Sequence, residues 1–126
     1  MREAVRGILA VGAGGFVGAL TRYGVGLAVA RFWTRDFPLA TLLINVSGSF
    51  ILGLFSTWAA GRIGVDPVWR LFVATGLVGA YTTFSTFEYE TERLLHAGAA
   101  GWALLNIVTS VVAGFLAVRL GVALGR

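Results

Sequence analysis

Four long apolar segments, separated by short polar stretches, constrain what this chain can fold into more than any other feature. They run from about Ile8 to Ala30, Pro38 to Ala60, Val68 to Leu95 and Ala99 to Leu124. Each is long enough for the ~20 residues that a helix needs to cross a bilayer. Lipid offers the backbone no hydrogen-bond partner, so a crossing segment of this kind must be helical. The pattern predicts an all-α membrane protein with four transmembrane helices and both termini on one side.

The composition agrees with a membrane environment. Of the 126 residues, 57% are hydrophobic and 13% are charged, and the charged share is about half that of a soluble globular domain. A soluble chain this short could not hide so much apolar surface in its core. Because the polar linkers are short and none has the length of a separate unit, we expect residues 1–126 to form a single four-span domain.

The residue types leave little chemistry for an enzyme. The chain has no cysteine and one histidine, which excludes disulfides and thiolate sites and disfavours a histidine-rich metal site. It contains no phosphate-binding loop, nucleophile elbow or His-Glu-x-x-His motif. Its ten basic residues are all arginines and are scattered, whereas nucleic-acid binding needs a clustered basic face. We therefore expect a transporter, a channel or a structural membrane protein, with no nucleic-acid partner.

The arginines also bear on orientation and assembly. They divide almost evenly between the two predicted sides of the membrane, so the positive-inside rule gives only a faint preference. Insertion in both orientations is open to this sequence. Four helices are also too few to enclose a pathway by themselves, which predicts a homo-oligomer.

The third segment departs from a plain transmembrane helix. Glycines and hydroxyl residues crowd its middle, between Thr75 and Phe87, and they weaken a helix. A helix that breaks there must find other partners for its freed backbone groups, because lipid supplies none. Two explanations are open: a broken helix that lines a cavity or ion site, or an ordinary seam of small residues for helix packing.

Polar side chains form stripes on the second and fourth segments. Thr41, Asn45 and Ser49 follow one another at intervals of one turn and share a face, as do Asn106 and Ser110. A buried amide needs a hydrogen-bond partner, so these stripes either join helices or line a hydrated track. Their donors are neutral, whereas cation paths usually carry acidic rings or carbonyl cages. A track of this kind suits a small anion better.

Two further features could serve an anion. Phe84 and Phe87 are three residues apart on one helical face, and although such rings usually contact lipid or core, their electropositive edges can face an anion. Arg22 lies well inside the first segment, where its charge either snorkels to the interface or attracts anions into a vestibule. The small residues Ala10, Gly14 and Gly18 are expected to be a helix-packing stripe.

The residues at these positions resemble the Fluc (CrcB) family of fluoride channels. The resemblance is carried by Gly14 to Tyr23, Thr41 to Phe50, Gly76 to Phe87 with its Thr-Thr-Phe-Ser-Thr-Phe stretch, and Gly101 to Asn106. It implies a broken third helix and a dual-topology homodimer, in which two antiparallel protomers form two pores at their interface. It also implies passive, fluoride-selective export of cytoplasmic fluoride across the bacterial inner (plasma) membrane, which lowers fluoride toxicity.

The same resemblance implies roles for individual residues. It assigns the fluoride pore to Phe84, Phe87, Asn45, Thr41 and Arg22, with Asn106 and Ser110 as a looser match to the polar track of the fourth helix. It places a structural Na⁺ at the backbone carbonyls of Gly79 and Thr82.

Two alternatives remain at this point. A small multidrug-type transporter is also a four-span chain that inserts both ways, but it needs a carboxylate within its first span, and the only acid near that span is Glu3. A structural or assembly subunit would use the polar stripes to join helices.

Overall fold

A computed structural model describes all residues, 1–126, and every regular element in it is helical. The elements in chain order are α1 (Arg2–Ala30), α2 (Leu39–Ala60), α3 (Pro67–Arg70), a π-helical segment (Leu71–Val78), α4 (Gly79–Tyr81), α5 (Phe84–His96) and α6 (Ala100–Leu124). The predicted all-α fold is confirmed. The first helix begins at Arg2, earlier than the apolar pattern indicated, and Glu3 and Arg6 pair on its exposed first turns at 3.3 Å.

Three helices, α1, α2 and α6, are long and apolar enough to cross a membrane. They make the chain a multi-pass membrane protein. The predicted third span, Val68 to Leu95, is not one continuous helix. Thr82 and Thr83 are both extended, with φ and ψ of −77° and 156° and of −151° and 108°, and they separate α4 from α5. We refer to these two residues as the interruption.

Glycines set the closest helix contacts on one side of the molecule. Gly14 and Gly18 of α1 lie against the backbone of Phe72 and Leu77, so closely that a Cβ on either glycine would collide with it. Ala10, Gly14 and Gly18 are all buried. The small-residue stripe of the first segment is therefore a packing surface, as its spacing indicated.

The second close pair is α2 with α6. Gly53 lies against the backbone of Val118, and Gly121 lies against the backbone of Phe50. Without Cβ atoms the two helix backbones approach closely enough for van der Waals packing, which drives helix association where lipid is as apolar as the side chains. This pair holds α6 against α2, beside the interruption.

The turn that precedes α3 is fixed by Asp66. Its carboxylate caps the helix by accepting from the Val68 N–H at 2.9 Å, and it also accepts from Arg6 at 3.1 Å. The Val68 N–H and the Arg6 guanidinium together hold the pKa of the Asp66 carboxyl below its ordinary value. The contact ties the start of α1 to the connection between α2 and α3.

Candidate functional site

The interruption is held by a side chain from another helix. Asn45 of α2 donates from Nδ2 to the Thr83 carbonyl at 3.0 Å, and its Oδ1 accepts from the Thr83 N–H at 2.8 Å. Thr83 is buried, so these two backbone groups would otherwise lack partners in an apolar setting. The amide of Asn45 thus replaces the hydrogen bonds that the helix loses.

The restart of the helix at Phe84 is capped locally. Thr83 Oγ1 accepts from the Thr86 N–H at 3.3 Å and donates to Thr86 Oγ1 at 2.9 Å. A threonine in the extended conformation is a favoured N-cap because its oxygen takes one of the unpaired amides of the first turn. The spacing of Thr83 and Thr86 fixes where α5 begins.

These bonds leave two backbone carbonyls without their helical donors. In a continuous α-helix the N–H of residue i donates to the carbonyl of residue i−4. The Thr83 N–H donates instead to Asn45, and the Thr86 N–H donates instead to Thr83 Oγ1. The carbonyls deprived in this way are those of Gly79 and Thr82, which the sequence resemblance assigned to a cation. The chain has no group of three or more acidic or histidine side chains that could hold a metal ion. These backbone carbonyls are therefore the candidate cation ligands.

A groove of about 400 Å³ lies where α2, the interruption, α5 and α6 meet. We call it the central groove. It is lined by Asn45, Gly48, Ser49, Leu52, Val78, Thr82, Thr83, Phe84, Phe87, Ser110, Val111, Gly114, Phe115 and Val118. None of these side chains is charged. The groove therefore offers amide and hydroxyl groups on otherwise apolar walls.

The two phenylalanines stand together on the groove but differ in burial. The ring centroids of Phe84 and Phe87 are 5.7 Å apart, with the rings tilted by 49°. Phe87 is 7% exposed, whereas Phe84 is 74% exposed. In a membrane protein, a large ring with that exposure contacts either lipid or another subunit.

The polar stripe of α6 is divided between the groove and the protein interior. Ser110 lines the groove, whereas Asn106 is 1% exposed and does not. Asn106 is nevertheless linked to the groove, because Ser110 Oγ donates to Asn106 Oδ1 at 3.3 Å. The i, i+4 spacing that predicted a shared face is thus seen as a direct contact.

Other predicted site residues lie away from the groove. Thr41 is buried beside Glu90, one turn before Asn45 on α2. Arg22 is partly exposed on α1, which does not line the groove, and its guanidinium forms no hydrogen bond or ion pair within the chain. Gly79 is exposed at the start of α4, directly after the π-helical segment. A Cβ there would meet no atom closer than 3.7 Å.

Sequence reasoning missed some residues of the site. Thr83 holds both the Asn45 contact and the α5 cap, and the Thr83-x-x-Thr86 spacing is the signal that could have revealed a helix start. Gly48 of α2 also belongs to the site. A Cβ on Gly48 would collide with the Thr82 methyl group and crowd the Tyr81 ring. Because glycine has no Cβ, the interruption can approach α2.

The fold and the groove define a class of protein: a small helical membrane protein that places uncharged hydrogen-bond donors and aromatic rings along an apolar-walled groove. The groove carries no catalytic set of side chains. It is suited to binding or passing a small solute rather than to transforming one.

Comparisons with known proteins narrow the class to a family. Residues 9–122 match the family described as CrcB-like protein, camphor resistance (CrcB). The chain is 48% identical over 116 residues to the fluoride-specific ion channel FluC of Acidobacterium capsulatum, covering 92% of this chain and 93% of that one. It is 42% identical over 118 residues to the FluC protein of a Sulfurihydrogenibium species, covering 94% and 95%. It is 40% identical over 126 residues to the FluC protein of Ruminiclostridium cellulolyticum, covering 100% and 96%.

The chain belongs to the CrcB-like family, which confirms the resemblance found in its sequence. The family is one of ion channels rather than enzymes.

Proposed function

We propose that this protein is a fluoride-selective channel that lets cytoplasmic fluoride leave the cell down its electrochemical gradient and so lowers fluoride toxicity. The observation that carries the proposal is the central groove, which brings Asn45, Phe84, Phe87 and Ser110 together without a charged side chain. The name fluoride-specific ion channel, which the relatives carry, identifies the ion.

The groove offers what a small, tightly hydrated anion needs when it leaves water. Asn45 gives one Nδ2 hydrogen to Thr83 and keeps a second, since an amide nitrogen carries two. The Ser110 hydroxyl donates to Asn106 Oδ1 in the single chain, and it would donate to an ion by exchanging that bond, because a hydroxyl carries one proton. The rings of Phe84 and Phe87 add electropositive edges. Neutral donors hold an anion less tightly than a guanidinium would, and conduction requires that a bound ion can leave.

We propose that the working unit is an antiparallel homodimer of dual topology. The groove is open at the surface of the single chain, and the exposed Phe84 ring lies at its edge, so a second copy is needed to close a path. A symmetric dimer has two such grooves and hence two pores. In this assembly the region from Pro67 to His96 crosses the membrane as a broken third span, which brings the number of spans to four.

The carbonyls of Gly79 and Thr82 fit a structural Na⁺. Both lack their helical donors, and hard cations bind several oxygen ligands at once. One chain offers too few, so the site is proposed to lie between the two protomers. A cation bound there would neutralise the partial negative charge of the carbonyls that the interruption exposes.

We place the protein in the bacterial plasma membrane as a multi-pass protein, in keeping with its apolar helices and its bacterial relatives. The proposal is tested by reconstituting the purified protein in liposomes loaded with potassium fluoride. With valinomycin to dissipate the potential, a fluoride electrode should record rapid efflux that needs no proton gradient, and matched liposomes loaded with potassium chloride should retain their chloride. Absence of efflux, or efflux that requires a proton gradient, contradicts the proposal.

A further inference from the structure

Asn106 of α6 is buried against α5 and away from the central groove. Its side chain is 1% exposed. Both ends of its amide are nevertheless used. Nδ2 donates to Thr91 Oγ1 at 2.9 Å, and Oδ1 accepts from Ser110 Oγ at 3.3 Å. A buried amide needs such partners, but these particular partners connect it to both walls of the groove.

The hydrogen bonds around Asn106 run in one direction. Thr91 Oγ1 donates to the Phe87 carbonyl at 2.8 Å. A hydroxyl carries one proton, so towards Asn106 the Thr91 oxygen can only accept. This fixes the amide with its nitrogen facing α5 and its oxygen facing Ser110. The result is a continuous chain of bonds from the backbone of Phe87 to the hydroxyl of Ser110.

The bond from Asn106 to Thr91 is also the one side-chain hydrogen bond that joins α5 to α6. No other side-chain hydrogen bond joins these helices, and apolar packing is not directional. Packing alone therefore leaves small rotations and shifts of α5 along α6 weakly opposed. The Asn106–Thr91 bond lies one turn beyond Phe87. It opposes both the rotation of α5 and its shift along α6.

We propose that Asn106 is a positioning residue that sets the Phe87 ring and the Ser110 hydroxyl relative to each other and does not itself contact the permeating ion. The inference rests on the proposed function, because it takes Phe87 and Ser110 as parts of the ion path. It revises the role that the sequence resemblance implied for Asn106, which was a place in the polar track.

Thr91 allows the proposal to be tested without changing a groove residue. Thr91→Val keeps the shape of the side chain but removes the acceptor for Asn106, whereas Thr91→Ser keeps the hydroxyl. Thr109→Val is the matched control, because the Thr109 hydroxyl also donates within its own helix, to the carbonyls of Leu105 at 2.7 Å and Asn106 at 3.5 Å, but binds no other helix. Each variant is purified as the full chain, and flux is expressed per folded dimer.

We expect Thr91→Val to lower fluoride efflux by about tenfold, the order of effect of losing one positioning hydrogen bond. Thr91→Ser should stay within about twofold of the parent, as should Thr109→Val, because both keep the contact between the helices. If Asn106→Leu abolishes efflux while Thr91→Val leaves it unchanged, Asn106 acts on the ion directly and the proposal is wrong.

A second measurement is independent of ion flux. With 4-fluorophenylalanine in place of Phe87, fluorine NMR in fluoride-free detergent reports the surroundings of that ring. Its resonance should move in Thr91→Val and keep its position in Thr91→Ser and Thr109→Val. An unmoved resonance in Thr91→Val overturns the proposal, even if the protein conducts no fluoride. A moved resonance in a chain without fluoride flux would uphold the positioning role and count against the proposed function alone.

Discussion

Asn45 and Thr83 bind each other twice, in opposite directions, over bonds of 3.0 and 2.8 Å. This pair joins the middle of α2 to the interruption between α4 and α5. It also links the proposed ion path to the proposed Na⁺ site. The Asn45 amide lines the central groove, and it accepts from the Thr83 N–H, which in a continuous helix would donate to the Gly79 carbonyl. A change at Asn45 is therefore expected to affect the groove and the candidate cation site together.

Asn45→Leu should destabilise the protein as well as stop fluoride efflux. The substitution leaves the buried N–H and carbonyl of Thr83 unpaired, at a cost of about 1–3 kcal/mol for each group. The measurement is the midpoint of thermal unfolding in detergent, alongside efflux from liposomes. Ser56→Ala, at an exposed position of the same helix, is the control and should leave the midpoint unchanged. An Asn45→Leu protein as stable as the parent would show that the two bonds do not hold the interruption.

Phe84→Ile and Phe87→Ile should both abolish fluoride efflux while the dimer still forms. Their effects on stability should differ, because Phe87 is buried and Phe84 is exposed in the single chain. Replacing the buried ring with another apolar side chain should cost up to about 1.5 kcal/mol. Phe16→Ile is the control, since Phe16 is an exposed ring on α1 outside the groove. Size-exclusion chromatography reports the dimer and the fluoride electrode reports flux. Unchanged flux in both variants would show that these rings only pack against lipid or protein and take no part in conduction.

Gly48→Ala should disturb the interruption although it adds a single methyl group. The new Cβ would collide with the Thr82 methyl group and crowd the Tyr81 ring, and overpacking of this kind costs about 1–3 kcal/mol. Gly12→Ala is the matched control, because a Cβ at Gly12 meets nothing within 4 Å. We expect Gly48→Ala to unfold at lower temperature and to conduct less fluoride, and Gly12→Ala to do neither. If the two variants behave alike, the contact between Gly48 and Thr82 is not important.

Removal of Na⁺ should destabilise the dimer if the Gly79 and Thr82 carbonyls bind it. A ligand that binds only the folded state stabilises it by about 1.4 kcal/mol for each tenfold rise in concentration above its dissociation constant. The unfolding midpoint should therefore rise with Na⁺ and should not rise with a bulky organic cation at equal ionic strength. A midpoint that stays constant after exhaustive removal of Na⁺ contradicts the site.

The apolar pattern of the sequence was enough to predict the helices, because α1, α2 and α6 each coincide with a long apolar segment. Hydroxyl residues and glycines also marked the third segment as weak. They could not show where the helix ends, because that depends on Asn45, which is remote in sequence and meets Thr83 only in the folded chain. Helical spacing placed Asn106 and Ser110 on one face, but their separation into a buried and a groove-lining residue depends on how α5 packs on α6.

The central claim, a passive path selective for fluoride, is tested most directly by the reversal potential of the purified protein in a planar bilayer. With a fluoride gradient across the bilayer, the current should reverse at the equilibrium potential of fluoride. That potential should not move when a chloride gradient or a pH gradient is added. A reversal potential that follows chloride would contradict the selectivity of the groove, and one that follows protons would contradict passive conduction.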